Sequence, residues 1–373
     1  MNSLFTLLRL GLGTSSLDNE NLSDFIVLSS DKWATLGDMA RKQGVLTVML
    51  DGIDKLENSN NGLIGELNVN QKLEWIGEII QLEQRNRQQT AVMKDMTEKW
   101  SQAGCRVMVM KGQANGILYP NPLHRTPGDI DCYLFGDYAL GNEIARLVGA
   151  EVDESWYKHS AFRYKGETFE NHQFFVHTRE GKKSKLLQKE LTEALNTEKW
   201  EYFPNSSICL PPAQWNAMFL TYHACAHFIT EGLRLKQVLD WAMFLQKEQE
   251  KVNWEQFYVY CDRHHLRRFA DAITSICVKH LGIQILNSTI KTESPYADRV
   301  LQSALYDDDY IYGAGESLWE SRWHLIKSLF RYRWKYEDIY QQSVWKQLWW
   351  YFTGFLFHTE NLDYIDNDSN KKC

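Results

Sequence analysis

The feature that most constrains this chain is a change of hydrophobic period near residue 105. Up to about residue 103, apolar side chains recur at helical spacing. In "SSDKWATLGDMARKQGV" a Ser or Asp offers an N-cap, and Trp33, Leu36, Met39 and Ala40 share one face. "EWIGEIIQLEQRNRQQTAVMKDMTEKWSQAG" continues with Ile76, Ile79, Ile80, Val92, Met93, Met96 and Trp100 as a predicted core stripe that ends at Gly104. Then "CRVMVM" (105–110) reads as a short buried strand stopped by Lys111-Gly112. "QANGILY" predicts a short helix, and "PNPLHRTPG", with three prolines, a loop. "DIDCYLF" is the next strand. "DYALGNEIARLVGA" is a helix with Asp137 as N-cap and Leu140, Ile144 and Leu147 on one face, and "AFRYKGETFENHQFFVHT" is a hairpin turning at Lys165-Gly166-Glu167. From about residue 183 helical spacing returns. The expected architecture is α+β: an N-terminal helical region (1–103), an α+β core (104–182), a C-terminal helical domain (183–358) and a polar tail (359–373).

Composition narrows the function classes. The chain has 373 residues and a formal net charge of -7, so no global field draws it to nucleic acid and any polyanion site must be local. Seven cysteines, scattered at 105, 132, 209, 225, 261, 277 and 373, include no Cys-x-x-Cys pair. That argues against a disulfide framework or zinc ribbon and fits a reducing cytoplasm. The first twenty residues lack a basic segment followed by an uninterrupted apolar run, and read as an amphipathic helix and not a signal peptide. No apolar run approaches the roughly 18 residues needed to span a bilayer.

Within "RTPGDIDCYLF" alternation sends Ile130, Cys132 and Leu134 to a core and leaves Asp129 and Asp131 together on the other side. Two carboxylates held that close repel and lose hydration unless a cation, a strong donor or catalysis compensates, and a divalent metal is the obvious compensation. Taken alone, the pair reads equally as a polar strand edge or an Asp turn after Gly128. The neighbours decide. In "TFENHQFFV" Glu170 and His172 share one face, with Phe169 and Phe175 on the other. If that hairpin packs beside the Asp129 strand, Glu170 is a third carboxylate and His172 its hydrogen-bonding partner or a phosphate contact. Lys111 and Gly112, at the end of a buried strand, would bring an ammonium and backbone N–H groups to a phosphate, and the fork of Arg125 could grip a second oxygen.

Together "VMKGQANGILYPNPLHRTPGDIDCYLF" and "FENHQ" resemble the uncharacterised bacterial nucleotidyltransferases of the polymerase-beta-like superfamily. In that family a Lys-Gly turn, a Tyr-Pro, an Arg and an Asp-x-Asp precede a Glu-x-His strand. "DKWATLGDMARKQGV" before it and "YHACAHFITEGLRLKQVLDWAMFL" after it are similar to that family's helical segments, so the resemblance runs from about residue 1 to 285. It implies a small polymerase-beta-like mixed sheet, with Asp129, Asp131 and Glu170 as ligands of Mg²⁺ or Mn²⁺ and Lys111 and Arg125 near phosphate. It also implies a nucleoside triphosphate, ATP among the candidates, as donor. The acceptor hydroxyl, on a small molecule, sugar or protein, is not implied. Two features depart from the wider superfamily: its Gly-Ser turn lies closer to Asp-x-Asp than Lys-Gly does here, and its third acid is commonly Asp. A catalytically silent scaffold protein is the alternative.

Two other signals carry blander readings. His223 and His227, at i and i+4, have a metal-ligand spacing but lack the intervening Glu of zinc proteases, so helix packing is expected; Arg234, Lys236 and Asp240 follow as inter-helix pairing residues. Residues 318–352 interleave Trp319, Trp323, Phe330, Trp334, Trp345, Trp349 and Trp350 with Arg322, Lys327, Arg331, Arg333, Lys335 and Lys346. A helix packed on the core with snorkelling cations is the expected reading, and a docking surface for a protein partner comes next. RNA is not the expected partner.

Overall fold

The computed structural model describes residues 2–19, 22, 25, 28–58, 67–177, 181–230, 232–307, 323, 326–327, 329–346 and 348–349. Among the described residues four helices come first: α1 (Asn2–Leu12), α2 (Ser30–Lys42), α3 (Leu46–Asn58) and α4 (Val69–Gln102). The last starts at Asn68, whose side chain accepts the Asn70 N–H at 2.8 Å, and at 34 residues it extends about 51 Å. The sheet follows: β1 (Met108–Val109), a single turn α5 (Gln113–Gly116), β2 (Ile130–Tyr133), α6 (Tyr138–Leu147), β3 (Val152–Asp153), β4 (His159–Tyr164) and β5 (Glu167–His172). Its order is β1-β2-β5-β4-β3; β2 and β5 run parallel and the remaining pairs antiparallel. Helices then resume with α7 (Lys182–Glu193), α8 (Ala213–Thr230), α9 (Leu235–Glu248), α10 (Trp254–Arg263), α11 (Arg267–Leu281) and α12 (Ala297–Tyr306). This is the α+β mixture the sequence predicts.

Pleating gives the sheet two apolar destinations. Val107, Val109, Ile130, Cys132, Leu134, Phe162 and Phe169 bury against Met93, Met96 and Trp100 of α4. Phe162 and Phe169 stack at 5.2 Å, and Trp100 meets both edge-on. Met108 and Met110 point the other way, into a larger core that α1 to α3 share with α8 to α12. In that core α1 and α3 approach through glycine: a Cβ on Gly11 would stand 2.1 Å from the Val48 carbonyl oxygen, and one on Gly52 2.1 Å from that of Leu7. Helix α1 also closes the end of α11, with Arg9 donating to the His280 carbonyl at 2.9 Å and Thr14 to that of Leu281 at 2.6 Å.

Three expected core faces are different in the structure. Ile76 and Ile80 are 36% and 52% exposed, because the first half of α4 packs on α2 chiefly through Trp75, seated on Gly37. On α6 the buried positions are Gly141, Asn142 and Ala145, while Leu147 is 78% exposed. Small side chains win there because Gly141 lies against Leu134 and gives its carbonyl to the Trp100 indole N–H at 2.9 Å. Phe175 does not share a face with Phe169: β5 ends at His172, and Phe175 turns into the larger core against Tyr133 and Trp215. Of the aromatic and basic segment, Trp334 packs on the core beneath Arg299, and Lys335 is buried against Asp307 at 2.9 Å; Trp345 is exposed. Trp319, Arg322, Trp350 and the tail 359–373 lie outside the described residues.

Candidate active site

The site lies on the sheet face turned toward α8, and a loop held by α4 forms its rim. Gly112 adopts φ 60° and ψ -118°, a conformation closed to other residues, and this turns the chain away from β1 into α5. Beyond α5 the loop is tied down residue by residue. Asn86 of α4 donates to the Leu123 and Arg125 carbonyls at 2.6 and 3.0 Å, and Gln89 to that of Gly128 at 2.7 Å. His124 sits between Asp51 at 2.7 Å and Glu83 at 2.9 Å. Burial alone would lower its pKa, but the two carboxylates outweigh that and raise it.

Within that frame β2 and β5 set their charged residues side by side. The parallel register pairs Asp131 with Glu170 and Tyr133 with His172, and the antiparallel register pairs His159 with His172 and Ala161 with Glu170. His172 Nε2 stands 3.0 Å from Asp131 Oδ1 and 3.1 Å from Glu170 Oε2; its Nδ1 faces the Phe174 carbonyl at 3.3 Å. Lys111 Nζ reaches the same Asp131 oxygen at 2.9 Å. Burial opposes ionisation of Asp131, yet Lys111 and His172 hold its carboxyl well below the usual range. Burial likewise works against the Lys111 ammonium, and Asp131, Glu170 and Asp129 together raise its pKa. Desolvation also opposes ionisation of the half-buried Glu170, and the hydrogen bond from His172 lowers its pKa all the same. The result is a desolvated cluster in which every charge leans on an opposite one.

His159 completes the group from β4, with Nε2 3.6 Å from Glu170 Oε1. Desolvation brings its pKa down to about 4, so the imidazole is neutral at pH 7. Among the described residues, the group of His, Cys, Asp and Glu side chains whose ligand atoms all lie within 4.8 Å of one another is His159, Glu170 and His172. Asp131 stays with Lys111, and Asp129, just before β2, is exposed. Of the sequence-predicted residues, Lys111, Asp131, Glu170 and His172 thus come together on one face, and Asp129 is exposed just before β2.

Arg125 has a different setting from the one expected. Its guanidinium forms a two-pronged pair with Asp240 of α9, Nε to Oδ1 and Nη2 to Oδ2, both at 2.8 Å, and the Tyr119 hydroxyl donates to Asp240 Oδ1 at 2.8 Å. The fork that could grip phosphate is occupied by a carboxylate. The inter-helix pairing expected of Asp240 is replaced by a pair with the loop, through Arg125 and Tyr119. His223 of α8 is more than a packing residue: its Nε2 lies 3.5 Å from Lys111 Nζ, and burial and that cation push its pKa well below normal. His227 packs edge-on against it at 4.4 Å. A cavity of about 740 Å³ lined by Glu190, Met218 and Arg263 contains none of these residues.

Residues 29–282 match the family described as uncharacterised nucleotidyltransferase, more than half of the chain. The chain belongs to that family. The match begins just before α2 and closes one residue after α11, so this nucleotidyltransferase region holds the whole sheet and both helical flanks of the site. The chain matches no curated protein and no solved structure.

One site residue, His159, escaped the sequence reading, although the hairpin contained the signal. A two-residue turn at Lys165-Gly166, both with positive φ, pairs Tyr164 with Glu167, and counting outward puts His159 opposite His172. Nothing local to "YPNPLHRTPG" marks Asp240 as the partner of Arg125, 115 residues away.

Proposed function

We propose that this nucleotidyltransferase moves a nucleoside monophosphate from a nucleoside triphosphate to a hydroxyl of an acceptor, small molecule, sugar or protein, with Asp129, Asp131 and Glu170 serving divalent cations of the Mg²⁺ or Mn²⁺ class. The observation that carries this reading is the parallel β2–β5 register, which sets the Asp131 and Glu170 carboxylates next to each other beside the Lys111 ammonium. A buried and a half-buried carboxylate adjacent on one sheet face, with a third acid exposed just before β2, are a donor set that fits a hard dication. When bound, such a cation would acidify the attacking hydroxyl and neutralise the leaving phosphates.

The chain's own residues supply the rest. Lys111 offers its charge to the triphosphate, and the Gly112 backbone lets phosphate oxygens come close without a Cβ in the way. The acceptor oxygen bonds to the α-phosphorus in line with the departing pyrophosphate, and its proton passes to a site carboxylate; Asp129, exposed at the rim, is the most accessible. Arg125, bound to Asp240, holds the loop that carries Asp129. His172 keeps Asp131 and Glu170 in place between catalytic events.

Calorimetric titration of ATP, GTP, CTP and UTP, each with Mg²⁺ or Mn²⁺, tests the reading. Metal-dependent binding by the wild-type chain, lost in Asp129→Asn, Asp131→Asn, is the expected result. A folded wild type that binds no nucleotide under either metal overturns it and leaves the silent scaffold, which one observation favours: Lys111 and His172 already satisfy Asp131.

A further inference from the structure

The donor atoms of this site are more nitrogenous than the Asp-x-Asp motif implies. Two imidazoles on neighbouring strands flank one carboxylate: Glu170 Oε2 is 3.1 Å from His172 Nε2, and Glu170 Oε1 is 3.6 Å from His159 Nε2. A first-row dication at about 2.1 Å from each ligand holds its ligand atoms roughly 3–3.4 Å apart, close to both separations. The third pair needs only a modest shift, since the rings of His159 and His172 are centred 5.0 Å apart. His172 has the outer-shell bond that orients a ligating imidazole, with Nδ1 against the Phe174 carbonyl and Nε2 directed into the site.

His159 has no adequate structural occupation. Its Nδ1 is buried with no hydrogen-bond partner, and the Nε2 contact at 3.6 Å is too long to be a hydrogen bond. The Trp156 ring lies parallel to it, with the centroids 6.0 Å apart. His159 Nε2 thus faces the Glu170 carboxylate without a hydrogen bond, placed where a cation between the two would meet it.

We propose that His159, Glu170 and His172 form a two-histidine, one-carboxylate centre for a nitrogen-preferring transition dication, Zn²⁺ or Co²⁺ in type. Three protein ligands leave coordination positions open for water or phosphate oxygen. The inference rests on the reading of this site as metal-dependent and, at Glu170, replaces the Mg²⁺ or Mn²⁺ of that reading with a softer cation. Asp131, which faces the same His172 Nε2 at 3.0 Å, gives up that contact to the cation and keeps Lys111 as its partner.

The test uses the full chain, stripped of metal and titrated with Co²⁺ while visible absorption is followed, with Zn²⁺ and Mg²⁺ as competitors. The expected result is one Co²⁺ per chain with an imidazole-ligated spectrum, displaced by Zn²⁺ and untouched by millimolar Mg²⁺. His159→Ala should weaken Co²⁺ binding at least 100-fold. His159→Phe, which keeps an aromatic ring beside Trp156, should do the same with an unchanged circular dichroism spectrum. Wild-type Co²⁺ affinity in a folded His159→Phe chain, or mole-for-mole displacement by Mg²⁺, overturns the proposal. The two readings fail separately: nucleotide binding with Mg²⁺ but Co²⁺ indifferent to His159 removes only this one, and Co²⁺ held through His159 with no nucleotide bound under any metal removes only the transferase.

Discussion

Replacing Arg125 by Met separates a structural cation from a phosphate-gripping one. The Arg125 and Asp240 side chains are 13% and 9% exposed, so the pair lies in a region that water screens little. Removing the guanidinium leaves a buried carboxylate whose remaining donor is the Tyr119 hydroxyl. Breaking a buried pair from one side costs about 3–5 kcal/mol. At about 2.1 cal/mol/K of unfolding entropy per residue, the 373-residue chain has roughly 0.8 kcal/mol/K at its midpoint, and the loss becomes a fall in Tm of about 4–6 °C. Asp240→Asn should cost a similar amount, because it strands the guanidinium while still accepting from Tyr119. The double variant Arg125→Met, Asp240→Asn removes both charges and should lose at least about 2 kcal/mol less than the two single losses added together. Differential scanning calorimetry of the four proteins at one pH measures this. If Arg125→Met melts within a degree of wild type, or the two losses simply add, the ion pair is not what holds the loop, and Arg125 is free to serve the phosphate.

Three further outcomes follow from particular atoms. Gly112→Ala, forced to φ 60° and ψ -118°, should cost about 1–3 kcal/mol and weaken nucleotide binding, and a wild-type melt with wild-type binding in calorimetry would refute the turn's role. His124 has a raised folded pKa, so its contribution is fully present below its unfolded value near 6.5 and is lost as pH climbs through the folded one. Thermal melts from pH 6 to 9 should therefore decline in that window for wild type, and less steeply for His124→Asn. Gly141→Ala places a Cβ 2.1 Å from Leu134 Cδ1 and should cost about 1–3 kcal/mol; added to Leu134→Val, which lacks that atom but leaves Asn171 Nδ2 at 3.0 Å, it should lower the melting temperature less than it does in wild type.

The parts of this fold legible in the sequence are those written in local periods and turns. The strand at Ile130, the hairpin at Lys165-Gly166 and the helices on either side of the sheet all announce themselves within about ten residues. Alternation alone places Asp131, Glu170 and His172 on one face, and their adjacency then needs only the β2–β5 pairing. What stayed hidden depends on volumes and distances along the chain. Leu140 and Leu147 look like the packing face of α6, but the Trp100 indole and Leu134 meet the helix at Gly141, and the buried positions are Gly141, Asn142 and Ala145. The sequence reading gives Arg125 to phosphate, since the carboxylate that claims it lies on the third helix past the sheet. His223 reads as a packing residue because its neighbour Lys111 lies 112 positions earlier.

The closure between α1 and α11 has a consequence for how the chain is born. Arg9 and its acceptor at His280 are 271 residues apart, so at about 5–20 residues per second α1 leaves the ribosome roughly 15–55 s before the helix end it caps. In that interval α3 emerges and can seat Gly52 on Leu7, giving α1 an early companion. The strands of the sheet are also synthesised before α11 exists. The order of translation therefore allows the carboxylates to be set in register first, and the two helical halves to close around them last.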